Sequence, residues 1–394
     1  MKDNNYIKKI RDIIISIGFV LFLIFPFVQK YVIIMPEMEN TENRKLADEP
    51  VFNPELLDPF PVEYEKYYND HFSLRNQLVK LKSYLVVNVF NKSPMPNKVI
   101  FGTEGWLHLV PKELEEYRGT NLLSQLEIDK IAVEFKRRKD YLEKRNSKLY
   151  IVIAPIKYSI YPEYLPVYVD KINKTSRTDQ IISALRDNNI SVLDLRPHEI
   201  KAKEKGLVYY KTDNHWNNLG GFYAYKALID KIKIDFKDIP VLSIDDFDIK
   251  TEVVKGRKTA KLLNMIDEFE DIKYELIQKT PSKTKKVKSV GYPMPKNFPY
   301  DYAFEMNYET ANDSLPKLLF IRDSFGSALI PYLNQSFKRS LFVFDGWIYR
   351  SNEHIIEKEQ PDVVVFMILE SMWDGFLKGI DKSPTLHLSN NNQK

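Results

Sequence analysis

Cysteine is absent from all 394 residues, so the chain has no disulfide, no Cys-ligated zinc and no thiol nucleophile. Histidine is scarce. Its six copies are scattered with no His-x-x-x-His pair, which argues against a metal site. No single sign of charge dominates: 58 basic and 54 acidic residues leave a net charge of +4, too mild to point to nucleic acid as the main partner. There is no internal repeat, and no metal or cofactor is expected. The content that remains, 44% hydrophobic and 13% aromatic, is enough to bury one large core or two modest ones.

The N-terminus carries the only long hydrophobic stretch. Lys2, Lys8, Lys9 and Arg11 precede the uncharged run IIISIGFVLFLIFPFV at 13–28, and apolar character resumes after Lys30 as far as Met35. Such a stretch has about the length that spans a bilayer, with its basic flank in the cytoplasm. A cleaved secretory signal would place small residues just beyond the apolar core; here stand Phe27, Val28, Gln29 and Lys30. An uncleaved signal anchor over 1–35 is therefore expected, in preference to a buried core helix, which Pro26 and the terminal position disfavour. The rest of the chain would then be extracytoplasmic, periplasmic or at the cell surface.

Beyond the anchor, residues 36–98 read as an extracytoplasmic linker and a wrapping helix: Pro, Glu and Asn are frequent to residue 62, and helical apolar spacing follows over 62–87. VIFGTEGWLHLV at 99–110 has the pattern of a hairpin turning at Gly102–Gly105. An amphipathic helix is predicted over 124–146 and another over 177–187. Short continuous apolar runs at 148–155, 189–195, 317–325, 340–345 and 361–370 have the character of buried parallel strands. Strand alternating with helix predicts an α/β parallel sheet flanked by helices, occupying 99–382, with chemistry at the carboxyl ends of its strands. The Lys-rich stretch 235–316 interrupts the alternation and reads as an insertion. Residues 383–394 lack core formers and read as a flexible tail.

Two short motifs carry chemistry. In TDNHWNNLGG (212–221), Asp213 and His215 lie two apart in a polar turn before a helix, where a carboxylate can hold an imidazole tautomer and stabilise its charged form. The pair is common on protein surfaces and needs a third partner. In KLLFIRDSFG (317–326), Ser324 follows a strand and opens a helix, where backbone N–H groups are available to a developing oxyanion. Asp323 or Ser324 could equally do no more than cap that helix. Taken together, however, a strand-end serine and an Asp-x-His pair supply nucleophile, base and orienting carboxylate.

RDSFG resembles the nucleophile block of SGNH hydrolases, and DNHW their Asp/His block, but with the order of blocks reversed. That permuted order is similar to the SGNH-like domain of the alginate O-acetyltransferase family (AlgJ/AlgX type, also called DHHW proteins). The blocks at 42–50, 60–79, 102–109, 154–166 and 212–221 follow the family's sequence of blocks, so the resemblance covers most of 40–375. It implies an SGNH-hydrolase-like fold in which Ser324 is the nucleophile, His215 the general base and Asp213 its partner, with the Ser324 N–H as an oxyanion donor. The implied activity is transfer of acetyl groups to polysaccharide hydroxyls, with a membrane-bound O-acyltransferase supplying the acetyl group. Two other readings stay open: a carbohydrate acetyl esterase using the same triad with water as acceptor, and a non-catalytic glycan-binding assembly factor. Arg322 departs from the usual glycine of the block. Either it widens the packing there or it reaches the site to meet a substrate carboxylate. Lys157, Tyr161 and Trp216 are further substrate-binding candidates, each with a turn or packing role as the alternative. Trp106 is a stacking candidate more easily read as core. The basic 279–288 run reads as a solvated loop, and His71 as structural.

Overall fold

The apolar runs become the strands of one sheet. The computed structural model describes residues 2–36, 45–55, 57–90, 92–295, 298–346 and 348–381, so the predicted tail at 383–394 lies outside the described residues. In chain order the strands are β1 (Val99–Phe101), β2 (Leu107–Leu109), β3 (Lys148–Ala154), β4 (Val192–Asp194), β5 (Phe247–Lys255), β6 (Glu270–Gln278), β7 (Lys285–Val287), β8 (Glu305–Glu309), β9 (Lys317–Arg322), β10 (Arg339–Phe344) and β11 (Val363–Leu369). Seven of them pair in the order β4-β3-β11-β9-β10-β8-β7. From β4 to β10 the neighbours are parallel, while β8 runs antiparallel to both β10 and β7. The sheet is thus parallel through its five predicted strands, with an antiparallel pair added at one end. Both extra strands come from the 235–316 stretch, which is thus partly integral to the sheet; β5 and β6 form a separate antiparallel ribbon from the same stretch.

Why the central strands are apolar throughout follows from their two covered faces. Along β3, Tyr150, Val152 and Ala154 enter one core while Leu149, Ile151 and Ile153 enter the other; β9 and β11 divide their side chains the same way. The first core takes its helical partner from Asn218–Lys233, through Phe222, Tyr225 and Leu228. The second takes Gln125–Glu143 and Arg177–Asp187, through Phe135 and Ile181. Ser124 and Ser176 begin the latter two helices with reciprocal capping boxes, each satisfying backbone N–H groups that the helix itself cannot. The helical pattern at 62–87 resolves into two helices, Pro59–His71 and Arg75–Phe90, interrupted at Phe72–Leu74. By compactness the chain divides into Met1–Pro96 with Ala260–Glu268, and Asn97–Thr259 with Phe269–Lys394.

One core residue has no polar partner. Glu199, on the helix Arg196–Ala202, is fully buried, and neither carboxylate oxygen makes a hydrogen bond among the described residues. Burial pushes its carboxyl well above the ordinary range. Because the folded value is raised, its stabilising form is in place at acid pH. Stability then falls as pH rises above the unfolded carboxyl value, by up to ~1.4 kcal/mol per pH unit while the buried group stays protonated. Glu199→Met should remove that slope. Urea unfolding at pH 5 and pH 8 is expected to show the variant gaining relative to wild type at the higher pH; parallel pH profiles would remove the explanation.

Candidate active site

Strand β9 lies inside the sheet between β11 and β10, and its carboxyl end delivers Asp323 and Ser324 into a turn that opens the short helix Phe325–Leu329. The Asp323 carboxylate accepts hydrogen bonds from Phe325 N (2.8 Å), Leu369 N (3.0 Å) and the Tyr349 hydroxyl (2.8 Å). Burial raises this carboxyl, and the three donors oppose the rise. Asp323 therefore fastens the serine turn to the end of β11 and is not the carboxylate of a triad. Ser324 itself stays partly exposed, and its backbone N–H makes no hydrogen bond among the described residues.

The second motif arrives from the opposite side. His215 Nε2 lies 2.8 Å from Ser324 Oγ, and His215 Nδ1 lies 2.7 Å from Asp213 Oδ1. Burial alone would raise the Asp213 carboxyl, but the hydrogen bond and charge of His215, with Lys258, hold it down to about 2. An ionised carboxylate only accepts, so Nδ1–H donates to Asp213 and Nε2 is left as the acceptor for the Ser324 hydroxyl. Asp213 is 3% exposed, whereas His215 and Ser324 are the partly exposed end of the chain of hydrogen bonds.

The residues around the histidine explain how two motifs 109 positions apart meet. Asn217 caps the helix Asn218–Lys233, accepting from Leu219 N and Gly220 N. A Cβ on Gly220 would lie 2.3 Å from the Val208 carbonyl oxygen, and one on Gly221 would lie 2.6 Å from Ala328 Cβ. Gly221 therefore lets the helix after the histidine close onto the helix after the serine, and Gly220 lets it close onto the backbone at Val208. Trp216 Nε1 donates to the Phe325 carbonyl (3.0 Å), and the Phe325 ring packs on His215 at 4.7 Å between centroids.

Serine, imidazole and carboxylate thus stand in hydrogen-bonded series at the carboxyl edge of a parallel-rich sheet. The family described as "SGNH hydrolase-like domain, acetyltransferase AlgX" matches residues 99–289, a span that holds Asp213 and His215 and stops short of Ser324. Over that span the chain resembles the AlgJ/AlgX-type SGNH-like proteins. A protein named "Probable alginate O-acetylase AlgJ" from Pseudomonas syringae is 29% identical over 164 residues, which is 42% of this chain and 40% of that one. The Pseudomonas aeruginosa protein of the same name is 25% identical over 211 residues, 54% of this chain and 50% of the relative. The chain thus spans half or less of the length of these relatives. Among solved structures, a DHHW family protein from Eubacterium siraeum is similar in fold, with a TM-score of 0.50 and 18% identity over 73% of this chain and 98% of that one.

The residues around the site form its scaffold, and here the structure corrects four expectations. Arg322, Lys157, Tyr161 and Trp216 were candidates for substrate contact, yet all four are at most 3% exposed. Their polar atoms are used inside the protein. Arg322 donates to the Asp323 and Ala303 carbonyls and to Ser327 Oγ, and stacks over Phe344. The close-packing glycine of this turn is Gly326, where a Cβ would lie 2.7 Å from Arg322 Cβ. The Tyr161 hydroxyl accepts from Val208 N. Trp216 bridges the two motifs as described. Lys157 sends its three N–H bonds to the carbonyls of Tyr210 (3.2 Å), Lys211 (2.9 Å) and Asp213 (2.7 Å), the strand-like turn that presents the Asp/His pair. Burial lowers its pKa, against the pull of Glu113, Asp213 and Asp271.

Sequence reasoning missed the other supports. Asp271, on β6, accepts from Lys211 N, Thr212 N and Thr212 Oγ1, so the stretch set aside as an insertion braces the turn that carries Asp213 and His215. Arg257 lies 4.0 Å over the Tyr210 ring, and its Nε is 3.9 Å from Asp213 Oδ2. Nothing in an isolated acidic residue on an amphipathic strand signals that role. Trp106 is core, stacked on Tyr164. The 279–288 run contributes β7 and, through Lys279 and Lys283, part of a cleft of about 460 Å³ whose lining includes no triad residue. His71 bonds the Tyr67 carbonyl within its own helix. Among the described residues no group of three or more His, Asp or Glu side chains is placed to hold a metal.

Proposed function

We propose that the chain is a membrane-anchored, extracytoplasmic O-acetyltransferase that moves acetyl groups onto polysaccharide hydroxyls through an acetyl-Ser324 intermediate. The observation that carries the reading is the hydrogen-bonded series Asp213–His215–Ser324 at 2.7 and 2.8 Å. Its kinship with proteins named as probable alginate O-acetylases supports acetyl transfer as the chemistry. The helix Lys8–Tyr31, long and apolar enough to cross a membrane with a mean hydropathy of 2.2, supports the anchor.

In the first step His215 Nε2 takes the Ser324 proton as Oγ bonds to the donor's carbonyl carbon. The bond to the leaving group breaks, and His215 returns the proton to that group. The Ser324 N–H is directed to the oxyanion. In the second step a sugar hydroxyl gives its proton to His215 and attacks the acetyl carbon, the Oγ–acyl bond breaks, and the proton goes back to Oγ. Asp213 keeps the imidazole tautomer correct and stabilises the imidazolium in both steps. A membrane-bound O-acyltransferase is the proposed source of acetyl groups.

Transfer and hydrolysis share the first step and differ in the second, where orientation of a bound sugar must outcompete water; such orientation is worth effective molarities up to roughly 10⁵ M or more. Given an activated acetyl donor and a panel of acidic and neutral oligosaccharides, mass spectrometry should show sugars heavier by one acetyl group, with slow donor hydrolysis when no sugar is present. If no sugar gains acetyl while acetylated sugars lose it, the protein is an esterase.

A further inference from the structure

The helices between the anchor and the catalytic unit leave their apolar sides uncovered. Call the anchor helix α1 (Lys2–Tyr31), and the two that follow α2 (Pro59–His71) and α3 (Arg75–Phe90). On α2, Phe60, Tyr64, Tyr67, Tyr68 and His71 recur at i, i+4, i+7, i+8 and i+11 and share one face; Glu63, Glu65, Lys66, Asn69 and Asp70 lie on the remainder. The rings of the stripe pack on one another and on no core: Phe60 stacks on Tyr64 at 5.7 Å, Tyr64 meets Tyr67 at 6.2 Å, and Tyr67 meets His71 at 4.3 Å. No residue of α2 is buried, and Tyr64 and Tyr68 are 46% and 53% exposed. On α3 a second stripe, Leu81, Tyr84, Leu85 and Val89, is 45–65% exposed.

Their tether says what covers them. The turn between α2 and α3 is fastened to the outer end of α1: Ser73 Oγ donates to the Pro26 carbonyl (2.6 Å), and Gln77 Nε2 donates to the Pro36 carbonyl (2.9 Å). Pro26 precedes Tyr31, the last residue of α1, by about 8 Å of helical rise. The apolar span Lys8–Tyr31 contains 24 residues, about 36 Å of helix against a hydrocarbon core of about 30 Å. With the span centred in the core, Pro26 lies about 5 Å inside the hydrocarbon edge, so a hydrogen bond to it holds the start of α3 close to where acyl chains give way to headgroups. Tyrosine, with an apolar ring and a polar tip, is the residue that favours this zone. Apolar stripes of this size are rare on surfaces that face water alone.

We propose that α2 and α3 lie in the outer-leaflet interface of the membrane, with the aromatic stripe of α2 and the Leu81–Val89 stripe of α3 against lipid. The proposal rests on the anchored reading above and extends it: the contact with lipid is a tripod of one spanning helix and two interfacial helices. The lipid surface thereby fixes the orientation of the anchor's exit, which a single flexible tether would not.

The natural absence of cysteine makes the test direct. The full chain, carrying one nitroxide-labelled cysteine at a time, is reconstituted into vesicles of phosphatidylethanolamine and phosphatidylglycerol. The accessibility of each label to oxygen, which enters bilayers, and to a water-soluble nickel chelate is then compared. Tyr64→Cys, Tyr68→Cys, Leu85→Cys and Val89→Cys should report oxygen-to-nickel ratios severalfold above those of Glu63→Cys and Asn69→Cys. Phe19→Cys, within α1, serves as the anchor control. A high ratio at 19 with water-like ratios at 64, 68, 85 and 89 overturns the proposal and leaves the anchor intact. Stripe labels shielded from both reagents would show a protein partner or a second copy there instead of lipid, which also overturns it. A water-like label at 19 overturns the anchored reading itself.

Discussion

Ser324→Ala should lower acetyl-ester turnover by about 10³-fold or more while leaving the protein folded. The loss is large because the proposed reaction runs through Oγ, which lies 2.8 Å from His215 Nε2. The fold is spared because Ser324 is partly exposed and, among the described residues, its hydroxyl bonds His215 alone, while the turn is held by Asp323 through three donors. His215→Ala should lose a similar factor, and the double variant should be little worse than either single one, since the groups act as a unit. Turnover rates together with circular dichroism give the comparison. A folded Ser324→Ala protein turning over at close to the wild-type rate would remove the nucleophile assignment.

Lys157→Met is expected to be the most disruptive change outside the triad. The ammonium is fully buried and its three N–H bonds go to three converging carbonyls of the turn 210–213. Removing it strands the Tyr210 and Asp213 carbonyls, while the Lys211 carbonyl keeps the Leu107 N–H, and leaves Glu113 and Asp213 without their buried cation, at a cost of about 3–5 kcal/mol. It also frees the backbone of Asp213, two residues from His215, and a displacement of roughly 1 Å at the base can cost about 10²-fold in rate. Lys157→Arg should recover part of the stability and less of the rate, because a planar guanidinium cannot point three N–H bonds at one convergent set of acceptors. Denaturant midpoints and kcat, the latter measured where each variant is still folded, separate the two effects. A folded Lys157→Met protein with wild-type kcat would show that the lysine braces the core and does not position the catalytic turn.

The sheet was legible because burial on two faces leaves a simple trace, the continuous apolar run. β3, β9, β10 and β11 all carry it, and the structure places them within three residues of the predicted bounds. β7 and β8 carry no such trace. They form the antiparallel end of the sheet with exposed or half-buried charged side chains such as Lys285 and Glu309, so their sequence looks like loop. The three triad residues were legible as motifs because turns before helices restrict which residues fit. What surrounds them was not. Arg322 and Trp216 adjoin the two motifs, and Lys157 and Tyr161 follow the carboxyl end of β3, placements that suggest substrate contact. Only the folded packing shows their polar atoms spent on Asp323, the 210–213 turn, Val208 and Phe325. Asp271 is the reverse case, an inconspicuous residue whose role depends on a ribbon folding back 59 and 60 positions to reach Thr212 and Lys211. Gly220 and Gly221 lie between: the pair stands out in the sequence, but its cause is the approach of Val208 and Ala328, which no spacing reveals.

The central claim is that an acetyl group rests on Ser324 between donor and sugar. Wild-type protein mixed with an activated acetyl donor in the absence of sugar, quenched in acid within the first turnovers and digested for peptide mass spectrometry, tests it most directly. The account predicts one acetyl group on the peptide containing Ser324, lost on addition of an acceptor oligosaccharide as the sugar gains it, and absent from Ser324→Ala. Acetylation of sugar by the Ser324→Ala protein, or a stable acetyl group on another residue that transfers to sugar, would contradict it.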